Sequence, residues 1–286
     1  MTPVMWGLVG AVAFGAGDFV ARIVGRELGA LVVTTGMLVV GTLAFWSWIL
    51  VAGLPIVFDP NSFALLVPAG ILIMVGSLLF YAALSRGPVS VVAPLSGTFP
   101  IWVIIIGLFL GIVPSIEQFV AMAVVMVGVA MVTAFSDPQG DDMVGSGGIG
   151  PTVLMTVAVT MIFGAVIYLA RDASVVVGEV QATAWMRAIS LVAMVLFLAL
   201  RRAPLRAVPK WWPALIVVGV CDTGAFFALL VGSRAEGAPL AAVAMSAYAV
   251  ITVVLARIFL KENVPLRQWT GIVVVVAGVA SLAYFS

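Results

Sequence analysis

The sequence predicts an all-α polytopic membrane protein, with ten transmembrane helices arranged as two inverted five-helix repeats. Three observations carry this. The 286 residues are 64% hydrophobic and only 9% charged, with a mean hydropathy of +1.29, whereas a soluble domain carries about 25% charged residues. Polar, Gly and Pro clusters cut the chain into apolar stretches of about 20 residues, the length a helix needs to cross a bilayer. The second half of the chain also repeats the first.

In order, the stretches run 3–23, 30–53, 63–85, 89–111 and 117–136, then 150–171, 178–200, 211–234, 238–260 and 266–285. No Lys or Arg precedes the first stretch, as a secretory leader would require, so it is expected to stay in the mature chain. Most connections are short. The exceptions are SDPQGDDMVGSGGIG (136–150), a flexible acidic linker, and the basic RRAPLRAVPK (201–210). Trp211 and Trp212 after the basic stretch read as an interfacial anchor. The chain therefore divides into a first repeat (1–136), a linker (137–149) and a second repeat (150–286).

The halves open on related motifs, FGAGDFVAR (14–22) and FGAVIYLAR (163–171), 149 residues apart. At an offset of 150, residues 87–136 lie on 237–286 without a gap, pairing Ser96 with Ser246, Gln118 with Gln268 and Gly128 with Gly278. Five spans is an odd number, so the second half enters the membrane from the opposite side. Such repeats build many secondary transporters, whose substrate sites lie near the midplane between the halves. Of the Lys and Arg residues outside the spans, ten fall on one side and two, Arg171 and Arg234, on the other. By the positive-inside rule this count places the termini outside.

Composition also excludes classes. A net charge of +1 gives no footprint for nucleic acid. One cysteine, Cys221, and no histidine rule out an intrachain disulfide and a Cys/His zinc site. No metal or cofactor is expected, and no nucleophile–base arrangement suggests an enzyme.

Three charges fall well inside spans: Asp18, Arg187 and Asp222. Arg187 and Asp222 each lie about nine residues into a span, about 13 Å deep at 1.5 Å per residue. A central charge costs roughly 2.5–3.5 kcal/mol to insert, so such residues face a cavity or one another. Matching depth on consecutive spans makes Arg187 and Asp222 equally readable as a structural pair. Asp18 stands where the second copy has Ile167, and is assigned a role in substrate or proton handling against the alternative of a solvated helix end. Without histidine, a coupling proton would fall to Asp18 or Asp222.

Neutral candidates follow. Pro94 and Pro100 interrupt the fourth span around Ser96 and Thr98, and Ser246 and Tyr248 are the corresponding positions of the ninth. Interrupted spans point to binding sites, because the freed backbone groups need a cavity or a neighbouring helix. Tyr81, Trp102, Tyr168 and Trp185 offer ring faces to a substrate, against the alternatives of helix packing and interfacial belts. Arg22 and Arg171 are expected to close the first and sixth spans as snorkelling anchors.

The stretches YAALSRGPVSVVAPLSGTFPIW (81–102) and AVITVVLARIFLKENVPLRQWTGIVVVVAGVASL (249–282) carry a resemblance. Over essentially its whole length the chain resembles the EamA-type, ten-span branch of the drug/metabolite transporter superfamily. Leu260, Glu262, Gln268, Gly271 and Gly278 match the closing pattern, and Gly17-Asp18-Phe19 is similar to an element of one subgroup. The first repeat departs from the pattern at Gly111-Ile112, where the family keeps a Gly-Glu. The resemblance implies a secondary transporter in the cell (inner) membrane with cytoplasmic termini, opposite to the charge count. It implies export of a small organic metabolite such as an amino acid, by alternating access around a cavity lined by spans 1, 3, 4, 6, 8 and 9. The expected partners are that small molecule and the lipid bilayer, with no nucleic acid, and a monomer is expected. The competing reading is a membrane scaffold or sensor without transport activity, in which the polar mid-span residues matter only for stability.

Overall fold

The computed structural model describes residues 1–86, 92, 95–134, 150–202, 209–234, 237–259 and 265–285. All regular structure among them is helical. The first half contributes α1 (Pro3–Leu28), α2 (Ala30–Val51), α3 (Pro60–Arg86), α4 (Phe99–Phe109) and α5 (Ile116–Ala134). The second contributes α6 (Gly150–Val177), α7 (Glu179–Arg201), α8 (Trp212–Gly232), α9 (Ala238–Met245), α10 (Tyr248–Phe259) and α11 (Leu266–Tyr284). Among the described residues eight stretches are long and apolar enough to cross a membrane, counting α9 and α10 as one, while α4 and α5 are shorter. Large apolar side chains such as Leu50, Val51, Phe109, Leu154 and Leu200 point outward, as a lipid-facing surface requires. The protein is a multi-pass helical membrane protein.

Two helices run further than their hydropathy suggests. α1 and α6 pass Arg22 and Arg171 and continue to Leu28 and Val177, so these arginines lie within their helices rather than at the ends. Nothing in RIVGREL or RDASVVV breaks a helix. Each helix stops at the next glycine: Gly29 (φ +79°) and Gly178 (φ +78°), 149 residues apart, each followed at once by the next helix. An L side chain is strained at such φ values, and glycine is not. At the start of α3, the Asp59 Oδ2 accepts the Ser62 N–H at 2.7 Å, and this bond holds the Asp59 carboxyl below its ordinary range.

The fourth and ninth spans are broken, each by a two-residue turn: Gly97–Thr98 before α4 and Ser246–Ala247 between α9 and α10. Both carry the same hydroxyl-to-carbonyl bond. The Thr98 hydroxyl donates to the Leu95 carbonyl at 2.6 Å, and the Ser246 hydroxyl donates to the Val243 carbonyl at 2.6 Å. These bonds compete with the helical ladder. The backbone tightens to a three-residue spacing, as in Thr98 N–H to Leu95 C=O and Ala247 N–H to Ala244 C=O. Pro100 therefore does not kink a helix; it stands in the first turn of α4, where no N–H is needed. Pro94 lies outside the described residues, as do Leu260 and Glu262. The breaks are 149 residues apart, so the structural counterpart of Ser96 is Met245, one residue from the Ser246 that a gapless offset of 150 pairs with it. The offset of 150 holds only in the closing helices.

The halves meet at glycines in matched pairs. Gly15 packs on Ile251 and Gly164 on Trp102; Gly70 packs on Ile189 and Gly219 on Val40; Gly128 packs on Val275 and Gly278 on Val125. In each pair, adding 149 or 150 to one contact gives the other with the halves exchanged. At all six a Cβ would come within 2.8 Å of the neighbour, so backbones approach as small residues allow in membrane bundles. Gly128→Leu should therefore lower the thermal unfolding midpoint in detergent by several degrees, since overpacking costs about 1–3 kcal/mol. The lipid-facing Val127→Leu should leave the midpoint unchanged. Equal midpoints for the two variants would refute the crossing.

Candidate binding cavity

A partly open cavity lies between the halves. It is walled by Phe14 of α1; Ile73, Ser77 and Phe80 of α3; Ser96 and Phe99 at the first helix break; and Phe163 and Ile167 of α6. Arg187 of α7, Asp222, Phe226 and Leu229 of α8, and Met245 and Tyr248 at the second break complete it. Twelve of these fourteen residues form six pairs 149 apart: Phe14/Phe163, Ile73/Asp222, Ser77/Phe226, Phe80/Leu229, Ser96/Met245 and Phe99/Tyr248. The cavity thus uses equivalent positions of both halves. At that offset Ile167 corresponds to Asp18 and Arg187 to Leu38. All three membrane-embedded charges, Asp18, Arg187 and Asp222, accordingly stand where the other half has an aliphatic residue.

The wall is aromatic. Phe14 meets Tyr248 edge to face at 5.1 Å and lies 6.2 Å from Phe80. One hydrogen bond spans the two helix breaks, Ser96 Oγ to Tyr248 Oη at 2.8 Å. Both breaks therefore face the cavity, although only the first contains proline and could be read from sequence.

The ion pair closes one side. Arg187 Nη2 lies 2.6 Å from Asp222 Oδ2, with Arg187 only 2% exposed. The guanidinium sits over the Phe226 ring, 5.7 Å from its centroid, and its Nη1 donates to the Met37 sulfur at 4.0 Å. Tyr81 is turned away from the cavity, and its hydroxyl donates to the same sulfur at 3.5 Å. Tyr81 thus braces Met37 behind the pair, while Phe80 takes the wall position. Asp18 is half-buried on α1, off the wall. Gly17 beside it packs on Cys221 and the Asp222 backbone.

Of the neutral candidates, Ser96 and Tyr248 are on the wall. Thr98 and Ser246 spend their hydroxyls on the helix breaks, as described. Trp102 donates its Nε1 to Thr160 Oγ1 at 3.1 Å, and Tyr168 donates to the Val103 carbonyl at 2.8 Å. Both bonds join α4 to α6, away from the wall. The sequence reading passed over the phenylalanines, among them Phe14 and Phe163, which sit in the quoted opening motif. The offset of 149 applied to Asp222 and Tyr248 would have found Ile73 and Phe99.

A multi-pass helical bundle with an internal cavity at the junction of two related halves, and a buried charge pair in its wall, has the form of a membrane transporter. The EamA-like transporter family matches the chain twice, over residues 1–134 and 150–284. The protein belongs to that family, and its partners are accordingly a small molecule and the bilayer. It is also 30% identical over 133 residues to an uncharacterized protein of Methanocaldococcus jannaschii; the match covers 96% of that protein but 46% of this chain. That relative is the size of one half. A crystal structure superposes with a TM-score of 0.75 at 14% identity, covering 96% of each chain. At that identity the likeness concerns the fold alone.

Arg187→Met would leave Asp222 buried without its counter-ion, and should destabilise the protein by about 3–5 kcal/mol. Arg187→Met combined with Asp222→Leu should recover most of that loss, as read by unfolding in detergent. A double variant as unstable as the single would show that the two side chains are not coupled.

Proposed function

We propose that the protein is a secondary transporter that exports a small organic metabolite, such as an amino acid, across the cell (inner) membrane. In this reading ten spans form two inverted five-helix repeats, 1–136 and 150–286, and a monomer works by alternating access. The observation that carries it is the paired composition of the cavity wall. A cavity built from equivalent positions of two halves lies where a rocking motion would expose it alternately to each side. The wall includes residues from all six spans that the resemblance implies, with Arg187 of α7 in addition.

Cavity chemistry supports a substrate with an apolar body and opposite charges close together. The rings would pack against the body, while a substrate carboxylate would replace Asp222 on Arg187 and an ammonium would replace Arg187 on Asp222. The group Asp18, Arg187 and Asp222 holds two carboxylates and one cation. One proton would balance it, with Asp18, beside Asp222 and without a cation of its own, as the carrier.

The test is reconstitution in liposomes with a panel of labelled amino acids and related metabolites, with and without a pH gradient. Gradient-driven flux should fall at least tenfold in Asp222→Asn. Asp18→Asn should retain exchange but lose the response to the gradient. Gradient-driven flux unchanged in both would end the coupling proposal. A correctly folded protein that moves none of the panel would favour a scaffold or sensor.

A further inference from the structure

The proposed substrate site uses the face of the Arg187–Asp222 pair that lies on the aromatic cavity. Behind the pair are polar groups that this site does not employ. Among the described residues, Thr42 Oγ1 on α2, Thr183 Oγ1 on α7, Thr223 Oγ1 on α8 and the Nε of Arg187 are buried with no hydrogen-bond partner. Native structures leave few such groups, and a membrane interior offers no bulk water to satisfy them. Here they gather on three mutually packed helices.

Their order is regular. Glu179, Thr183 and Arg187 recur every four residues and so rise along one face of α7. At 1.5 Å per residue, Thr183 is about 6 Å and Arg187 about 12 Å from Glu179. Across from them, Thr223 adjoins Asp222 and lies against Gly41 so closely that a Cβ there would strike its hydroxyl. Thr42 is the next residue of α2. The outer end of the stripe is polar. Glu179 pairs with Arg234, which is 64% exposed. Gln181 accepts the Val57 N–H at 2.8 Å and donates to the Pro55 carbonyl.

We propose that a file of internal water occupies the interface of α2, α7 and α8, entering beside Glu179 and Arg234 and ending on the Arg187 Nε. Water fits because the unpartnered groups are single hydroxyls and one N–H donor at the interface of three packed helices. A buried water typically makes about three hydrogen bonds and bridges such groups. A metal cation is disfavoured by the guanidinium, which only donates. The ion pair would then be wet on one side and face the aromatic cavity on the other. This inference does not rest on the transport reading.

The lone cysteine allows a direct test. In a Cys221→Ser background, Thr183→Cys and Thr42→Cys should react with a small charged methanethiosulfonate at least tenfold faster than Val218→Cys, a fully buried apolar position of α8. Thr42 is half-buried, so its variant decides the matter where Thr183→Cys does not fold. Thr183→Cys and Thr42→Cys as slow as Val218→Cys would overturn the proposal.

Discussion

A guanidinium and a carboxylate held 2.6 Å apart in the middle of an apolar bundle constrain everything around them. Each charge alone is costly at that depth, and removing either partner strands the other. The pair is sustainable only if α2, α7 and α8 approach closely and keep their register. The glycine contacts supply that approach: Gly219 lets α8 settle on Val40 of α2, and Gly41 lets Thr223 settle beside Asp222. Met37 and Phe226 then complete the surroundings of the guanidinium, one through its sulfur and the other through its ring face.

The backbone treats its halves alike, and the charges do not. Helix stops at Gly29 and Gly178, breaks at Gly97–Thr98 and Ser246–Ala247, and glycine crossings all recur at the repeat offset. Asp18, Arg187 and Asp222 face Ile167, Leu38 and Ile73 across that correspondence. Duplicated packing contacts can remain while a few positions diverge, because helix packing needs small residues and shape, whereas a site for one asymmetric ligand needs charge on one side only. The half-length relative fits the same picture of two related halves.

Hydropathy and the repeat made most of the scaffold legible, and the three buried charges could be named from sequence alone. What escaped was set by local backbone packing and by side-chain direction. The break in the ninth span has no proline beside it; the Ser246 hydroxyl bonds Val243 there, as Thr160 and Ser174 bond their own helix without breaking it. Tyr81 and Phe80 are neighbours in sequence with rings 5.5 Å apart, and only packing decides which one lines the cavity. Trp102 and Tyr168 have the polar handles expected of site residues, yet each satisfies its handle within the α4–α6 contact. Phenylalanines in an apolar chain carry no signal of their own until the repeat offset pairs them.

The distribution of polar contacts limits how the halves could move under the proposed mechanism. Arg187 and Asp222 both belong to the second half, as do Glu179 and Arg234. Rocking of one half against the other could therefore leave both ion pairs intact and expose neither charge to lipid. The bonds between halves are of a different kind. Ser96 to Tyr248 and Arg187 to Met37 lie at the cavity, Trp102 to Thr160 and Tyr168 to Val103 join α4 to α6, Ser190 to Gly70 joins α7 to α3, and Gln181 to Pro55 and Val57 lies at the Glu179 face. All but the Arg187 contact join neutral groups, and that one ends on a weakly accepting thioether. Such bonds exchange with water or a ligand at little net cost, whereas a buried charge pair does not. Val32, the counterpart of Gln181 in the other half, has no amide to offer, so the Gln181 fastening belongs to one face alone. Under the proposed alternation the charged core would travel as one body.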